Sequence, residues 1–417
     1  MDLFLEKAKG KRQKAKVKIT GSKSETNRLL LLQALYPNLT LKNTSNSDDS
    51  EVMQKALNSP FTIHHSQLID VHHAGTAMRF LTAYFSIQEG KEVVLTGSSR
   101  MKERPIKILV DALNELGTEI TYEENEGFPP IRIKGKKITK NKVSLPANVS
   151  SQYISALLLI APKLENGLVL TLEGEITSVP YIKMTLALLN EIGVMTSFEN
   201  NVIKVNPTPN TQHPTPLTIE SDWSSASYWY SIVALSEIGF QVTLSSYKKN
   251  SLQGDSALIN LYKDFGVETT FNSDNSITIF KTKNCQLTIV NYQLNNCPDI
   301  AQTIAVTSFG IGIACDLTGL HTLKIKETDR LEALKIELTK LGAEISVTND
   351  SLHLKSSSGI KQNISISTYQ DHRMAMAFAP LALKVPITIN QAEVVSKSYP
   401  DFWKDLELVG IENSEIN

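Results

Sequence analysis

Cysteine, long apolar runs and net charge are all scarce in this chain, and each scarcity excludes something. There are three cysteines, Cys285, Cys297 and Cys315. Their number is odd, their spacing is wide and no Cys-x-x-Cys occurs, which argues against a disulfide framework or a cysteine zinc site. Apolar stretches such as Leu29–Leu32 and Ala156–Ala161 fall far below the ~20 residues that cross a bilayer. The opening Met-Asp-Leu-Phe-Leu-Glu-Lys has no apolar secretory core. A protein of the reducing cytoplasm is expected. The formal net charge is -1, so no global field draws nucleic acid or anionic membrane, and any cationic site must be local.

What is present is ordinary in composition and unusual in order. With 417 residues the chain exceeds the ~250–300 at which a single core divides, so two domains are expected. Lys7, Lys9, Lys11, Arg12, Lys14, Lys16 and Lys18 crowd the start. Val17 and Ile19 alternate with lysines there, which favours a strand with a solvated face over a nucleic-acid arm. A pattern then recurs: a polar or glycine-containing turn opens into a helix of small and apolar residues. The openings are Ser22–Arg28, Ala74–Arg79, Val149–Gln152, Asp222–Ser227, Pro298–Gln302 and Asp371–Met374. From Thr76 through Ser151, Ser224, Asp299 and His372 the steps are 75, 73, 75 and 73 residues.

A second helix follows each opening. Leu116-Gly117, Ile192-Gly193, Phe265-Gly266, Leu341-Gly342 and Val409-Gly410 mark helix stops. After most of these comes a strand–turn–strand, at 119–134, 194–205, 267–280 and 344–354, with a shorter version expected at Asp48–Leu57. The chain therefore reads as six strand–helix–strand–helix–strand–strand units, three per domain. Pro207, Pro209, Pro214 and Pro216 give residues 207–216 the chemistry of a linker. The domains expected are 20–220, and 1–19 plus 221–417, with hinges near 19–21 and 218–222.

The stretch from Lys324 to Ile345 carries the densest chemistry. Thr328 or Asp329 can cap a helix whose apolar stripe is Leu331, Leu334, Ile336, Leu338 and Leu341. Lys326, Glu327 and Arg330 stand at its start, where backbone N–H groups favour anions. A carboxylate between two cations there is either an acid/base group beside a phosphate or a capped helix with a solvated first turn. The other openings add Lys23, Ser24 and Arg28; Gly75, Thr76 and Arg79; Ser150, Ser151 and Gln152; and Asp299, His372 and Arg373. Arg104, Ser178, Tyr181 and Lys397 stand near later helices. If like ends of the units face one way, both domains present helix starts to a shared cleft, suited to two anionic small molecules. Arginines favour a compact polyanion, domain closure would expel water, and Asp299 and Glu327 could divide proton removal from donation.

Blander readings apply elsewhere. His64, His65, His72 and His73 lack a carboxylate or cysteine at ligand spacing, so no metal site is expected. Trp223, Trp229, Tyr230, Met374 and Met376 read as core. His372 is as well explained by a satisfied polar contact as by catalysis. Ser150-Ser151-Gln152 lacks the context of a serine nucleophile.

The motifs Gly21-Ser-Lys-Ser-Glu-Thr-Asn-Arg28, Ala74-Gly-Thr-Ala-Met-Arg79, Arg100-Met-Lys-Glu-Arg-Pro-Ile106, Ser150-Ser-Gln152, Lys326-Glu-Thr-Asp-Arg330 and Asp371-His-Arg-Met-Ala-Met376 resemble, in order along the chain, the 5-enolpyruvylshikimate-3-phosphate synthases. The resemblance implies an enolpyruvyl transferase fold: an α/β, two-domain, inside-out α/β barrel of six βαβαββ repeats, three per domain. It implies transfer of the enolpyruvyl group of phosphoenolpyruvate to the 5-hydroxyl of shikimate 3-phosphate, with no cofactor and no metal. By motif, Lys23, Ser24, Arg28, Ser150, Ser151, Ser178, Tyr181, Asp299 and Lys326 look like the shikimate 3-phosphate set. Lys23, Gly75, Arg104, Gln152, Arg330, Arg373 and Lys397 look like the phosphoenolpyruvate set, with His372 and Thr322 as further candidates. Glu327 would exchange the carbon-bound proton, Asp299 would manage the hydroxyl, and Lys23 would assist the leaving phosphate. A cytoplasmic monomer that binds neither nucleic acid nor membrane is the expectation.

Three positions depart from the family pattern: His72-His73 replaces Gly-Asn, Phe80 replaces proline, and Thr322 stands where asparagine is frequent. They bear on the shape of the phosphoenolpyruvate pocket, where the inhibitor glyphosate binds. The sister transferase acting on UDP-N-acetylglucosamine is disfavoured, because its cysteine lies in the first domain and all three cysteines here follow residue 284. A non-catalytic sensor of phosphorylated metabolites would gain nothing from keeping both Asp299 and Glu327.

Overall fold

The computed structural model describes residues 1–417 except 11–12, 60–65, 149, 175, 177–178, 212–215 and 417. His64, His65, Val149, Ser178, Lys11 and Arg12 therefore lie outside the described residues. The chain divides into two compact units, Ser22–Ile219 and Met1–Gly21 with Glu220–Asn417.

Each unit is built around helices that are buried nearly all round. In Ser22–Ile219 these are the Lys23 helix (Lys23–Leu35), the Gly75 helix (Gly75–Ser86) and the Ser151 helix (Ser151–Ile160), and all three pack on one another. In the other unit the Ala301 helix (Ala301–Ile311) packs on the Trp223 helix (Trp223–Leu235) and on the His372 helix (His372–Phe378). A helix without a polar face has to be interior, which fits the helices of small and apolar residues; the Lys23 helix also buries Glu25, Thr26, Asn27 and Arg28. Trp223, Trp229, Tyr230, Met374 and Met376 are fully buried, as expected of core. The exceptions to burial are informative. Thr76, Gln152, Ser224 and Arg373 are the only residues of their helices left partly open, and each is the second residue.

Sheets flank these helices. Four-stranded sheets form from Gln67–Asp70, Glu92–Thr96, Ile131–Lys134 and Glu119–Tyr122, and from Lys142–Pro146, Leu168–Glu173, Val202–Val205 and Thr196–Glu199. In each the first two strands are parallel and the last pair is an antiparallel hairpin. The other unit has three sheets of the same plan. Its first is led by Lys14–Val17, parallel to Gln241–Leu244. Its last takes Asp2–Lys7 between Ile387–Ile389 and Ile411–Ile416, so the first strand of the chain completes the final repeat. Leu217–Thr218 in turn pairs parallel with Leu41–Lys42. The leading strands of the first and fourth repeats are thus exchanged. Among the described residues no sheet closes on itself; the inside-out character lies in buried helices with open sheets outside them.

Three expectations need correction. Asp48–Leu57 is a helix, not a short strand pair: Ser47 caps it by accepting from Ser50 N–H, and Asp48, Asp49 and Glu51 load its first turn with negative charge. Ile336 is not part of the apolar stripe of the Arg330–Lys340 helix and is 40% exposed. Five residues beyond Leu331, it stands ~140° round from it at ~100° per residue. The proline-rich stretch is docked over its described part: Tyr36 Oη donates to Thr208 O at 2.5 Å and Asn38 Nδ2 to Thr211 O at 2.7 Å. Those bonds place residues 208–211 on the Ser22–Ile219 unit.

Candidate active site

In the Ser22–Ile219 unit the three central helices bring their starts together. Gln152 Nε2 donates to Thr76 Oγ1 at 3.2 Å, joining the Ser151 and Gly75 helices. Ser150 caps the Ser151 helix, its hydroxyl accepting from Gln152 N–H. Arg28 ties the Lys23 helix to the rest: Nε donates to Thr185 Oγ1 at 2.8 Å and Nη2 to Ser155 Oγ at 2.9 Å, while Nη1 reaches Ser24 O at 2.7 Å. Burial lowers its pKa to about 10, against the pull of Tyr181 and Glu25. Arg79 repeats the situation. It donates to Gly75 O at 3.1 Å and Pro105 O at 3.0 Å, and burial, with Arg104 nearby, lowers it to about 10. Tyr153 Oη also donates to Pro105 O, at 2.6 Å. These bonds fix the segment that carries Arg104, which lies against Gly75 so closely that a Cβ there would sit 2.5 Å from Arg104 Nη1. Among the described residues no carboxylate pairs with Arg28, Arg79 or Arg104. Lys23, the first residue of its helix, stands 3.9 Å from Asp49 Oδ2.

The other unit is arranged the opposite way: its cations already hold acids. The Arg330 guanidinium, 2% exposed, donates from Nε to Asp371 Oδ2 at 2.6 Å, from Nη1 to Asp299 Oδ1 at 2.9 Å and from Nη2 to Glu327 Oε2 at 2.8 Å. Burial works against its charge, but Asp371, Glu327 and Asp299 outweigh it and raise its pKa. Arg373 donates to Asp299 Oδ2 and to Ser224 Oγ, both at 3.2 Å, and Lys326 Nζ lies 3.6 Å from Asp299 Oδ1. So Asp299, at the entry to the Ala301 helix, Arg373, in the His372 helix, and Ser224, in the Trp223 helix, meet at three helix starts. Behind them Ser224 Oγ donates to buried Asp255, whose pKa burial and nearby Asp299 push up to about 7.

The cap of the Arg330 helix is Asp329, which accepts from Leu331 and Glu332 N–H; Thr328 is not the cap. Asp371 caps the His372 helix, accepting from Arg373 N–H at 2.8 Å. The turn before it is strained: Tyr369 and Gln370 have φ of +54° and +56°, each costing on the order of 1–3 kcal/mol. Glu337 holds that turn, accepting from Tyr369 Oη at 2.6 Å and Ser367 N–H at 3.2 Å, and Lys397 Nζ donates to Gln370 O at 2.8 Å. His372 is buried. Thr322 lies in the short helical turn His321–Ile325, which packs against the turn Pro298–Ile300 that carries Asp299.

The candidate residues thus form two clusters, one in each unit. Lys23, Ser24, Arg28, Gly75, Arg104, Ser150, Ser151, Gln152 and Tyr181 belong to the first, and Asp299, Lys326, Glu327, Arg330, Arg373 and Lys397 to the second. Sequence reasoning missed Asp49, because its helix was read as strands. It also missed Asp255, Glu337, Ser155 and Thr185; the bonds that tie them to Ser224, Tyr369 and Arg28 span 31 or more positions, and no local pattern signals them.

Solved structures share this architecture. An EPSP synthase from Acinetobacter baumannii superposes over the full length of both chains with a TM-score of 0.79 at 21% identity. A second structure of EPSP synthase from the same organism gives 0.78. The fold is that of an enolpyruvyl transferase. In sequence, a 3-phosphoshikimate 1-carboxyvinyltransferase of Bacteroides fragilis is 46% identical over 402 residues, 95% of each chain. One of Photobacterium damsela subsp. piscicida is 36% identical over 94% of this chain and 96% of its own. The family model described as EPSP synthase (3-phosphoshikimate 1-carboxyvinyltransferase) matches residues 38–406, and the chain belongs to that family.

Proposed function

We propose that this chain transfers the enolpyruvyl group of phosphoenolpyruvate to the 5-hydroxyl of shikimate 3-phosphate and releases inorganic phosphate. The observation that carries the reading is the contrast between the two clusters. Arg28 and Arg79 are buried cations met only by uncharged hydrogen-bond partners and rings, with Arg104 alongside. Glu25 and Asp49 favour the charges of Arg28 and Arg79 from a distance without bonding them; a buried guanidinium with no bonded counter-ion is costly, and an anionic substrate at Arg28 lowers that cost. The second cluster pairs cations with acids, as proton transfer requires.

Shikimate 3-phosphate would take Lys23, Ser24, Arg28, Ser150, Ser151, Tyr181, Asp299 and Lys326, with Ser178. Phosphoenolpyruvate would take Lys23, Gly75, Arg104, Gln152, Arg330, Arg373 and Lys397. An anion reaching Arg330 and Arg373 competes with Glu327 and Asp299 for the same N–H groups. Each carboxylate then loses the contact that favours its ionised form, and its proton affinity rises. Glu327 delivers a proton to the methylene carbon of phosphoenolpyruvate. The cation-like C2 is attacked by the 5-hydroxyl, whose proton passes to Asp299. In the tetrahedral adduct the C2–phosphate bond breaks with Lys23 neutralising the leaving oxygen, and Glu327 takes back a proton from the methyl group to restore the double bond. The two units of the chain act as the two domains of the enzyme.

A cytoplasmic location is part of the same reading, in keeping with the free thiols of Cys285, Cys297 and Cys315, and a monomer is proposed with it. Phosphate release, followed with both substrates and with each omitted, tests the function. Release only when both are present is expected; release from phosphoenolpyruvate alone would overturn it.

A further inference from the structure

Arg28 is enclosed by more than hydrogen bonds. Its Cζ lies 5.4 Å from the ring centroid of Phe80 and 5.9 Å from that of Tyr181. Phe80 sits in the Gly75 helix, 0% exposed, so its ring has no freedom to swing away. Three of the five guanidinium N–H groups are spent on Thr185, Ser24 and Ser155, one each from Nε, Nη1 and Nη2. That leaves one N–H on Nη1 and one on Nη2 for an anionic ligand. The hydroxyls that fix the fork are themselves fixed: Thr185 Oγ1 donates to Tyr181 O at 2.9 Å and lies 2.9 Å from Ser155 Oγ. The face of the guanidinium is left to the rings.

We propose that Phe80 is a positioning residue for shikimate 3-phosphate: its ring, with that of Tyr181, holds the Arg28 plane at a fixed tilt and meets its charge while the site is empty. The ring quadrupole attracts the cation at this range most strongly when water is excluded, and the site is buried. The inference rests on Arg28 being a shikimate 3-phosphate ligand. It moves the influence of Phe80 from the phosphoenolpyruvate pocket to the other substrate.

The test varies the quadrupole with little change of shape. Phenylalanine, 4-fluoro-, 3,5-difluoro- and 3,4,5-trifluorophenylalanine are placed at position 80 of the full chain. Binding of shikimate 3-phosphate is measured by calorimetry, with KM for phosphoenolpyruvate and Tm alongside. The expected result is a stepwise loss of shikimate 3-phosphate affinity, on the order of tenfold across the series, while KM for phosphoenolpyruvate and Tm stay level. A merely structural ring would move Tm or leave all three flat; either result overturns the proposal. Should the trifluoro ring not fold, the slope over the first three members decides. Arg28→Lys, which keeps the charge and loses the fork, separates the two levels. If it leaves shikimate 3-phosphate affinity intact, the assignment of Arg28 fails and the proposal with it. If it weakens binding while the fluorine series is flat, only the role of Phe80 fails.

Discussion

Gly75→Ala should weaken phosphoenolpyruvate binding without harming the fold. Gly75 opens its helix with ordinary backbone, since its φ is not positive, so alanine adds no strain. In a helix interior alanine is worth roughly 0.5–1 kcal/mol over glycine, and somewhat less at a first residue. The added Cβ would stand 2.5 Å from Arg104 Nη1, 3.0 Å from Cζ and 3.1 Å from Nη2. Ordinary contact begins near ~3.5 Å, so the guanidinium must retreat by about 1 Å. Arg104 is the end of a flexible side chain and can do so, but it then presents its fork from the wrong place. A charge-assisted hydrogen bond is worth about 1.5–3 kcal/mol. Losing part of one predicts about a three- to tenfold rise in KM for phosphoenolpyruvate, at 1.4 kcal/mol per tenfold. Initial-rate kinetics with each substrate varied, together with a thermal melt, provide the assay. A rise in KM for shikimate 3-phosphate instead, or a drop in Tm, would refute the steric argument.

Other predictions address the acids and cations in turn. Glu327→Gln should leave both substrates bound while turnover falls by at least ~100-fold, the scale of lost acid/base catalysis; near-normal single-turnover rates would remove Glu327 from the mechanism. Arg28→Ala should weaken shikimate 3-phosphate far more than phosphoenolpyruvate, and equal calorimetric losses would contradict the assignment. Asp255 has its folded pKa raised to about 7, above an unfolded value of ~3.9. The stability this lends is full below about pH 4 and is lost as pH rises through about 7. Asp255→Asn keeps an oxygen to accept from Ser224 and removes the titration. Urea unfolding between pH 5 and 8.5 should therefore show the parent losing up to about 3 kcal/mol relative to the variant, and parallel curves would show that Asp255 is ionised throughout.

How much of this was legible in the sequence depends on the range of the interaction. The central helices were legible because a segment apolar on every side has one place to go, and the turns opening them pointed to the site. The helix stops were legible too: Gly117, Gly193, Gly266, Gly342 and Gly410 all take positive φ. Local chemistry with two solutions was not. Asp48–Leu57 has too few apolar residues to declare a period, and its Ser47 cap decided it. Long-range chemistry was invisible. Glu337 sits in a surface-looking Lys-Ile-Glu-Leu-Thr-Lys run, yet it is fully buried because Tyr369, Ser367 and Lys340 converge on it. Phe80 departed from the family pattern, and only its packing shows that it faces Arg28.

The central claim is that carbon protonation at phosphoenolpyruvate is coupled to attack by the shikimate hydroxyl. Proton and phosphorus NMR of the full chain with both substrates in D2O measure that directly. The account predicts one inorganic phosphate for each shikimate 3-phosphate consumed, with deuterium entering the vinyl group of the product. Phosphate lost from the shikimate ring, or a product whose vinyl group stays fully protonated, would contradict it.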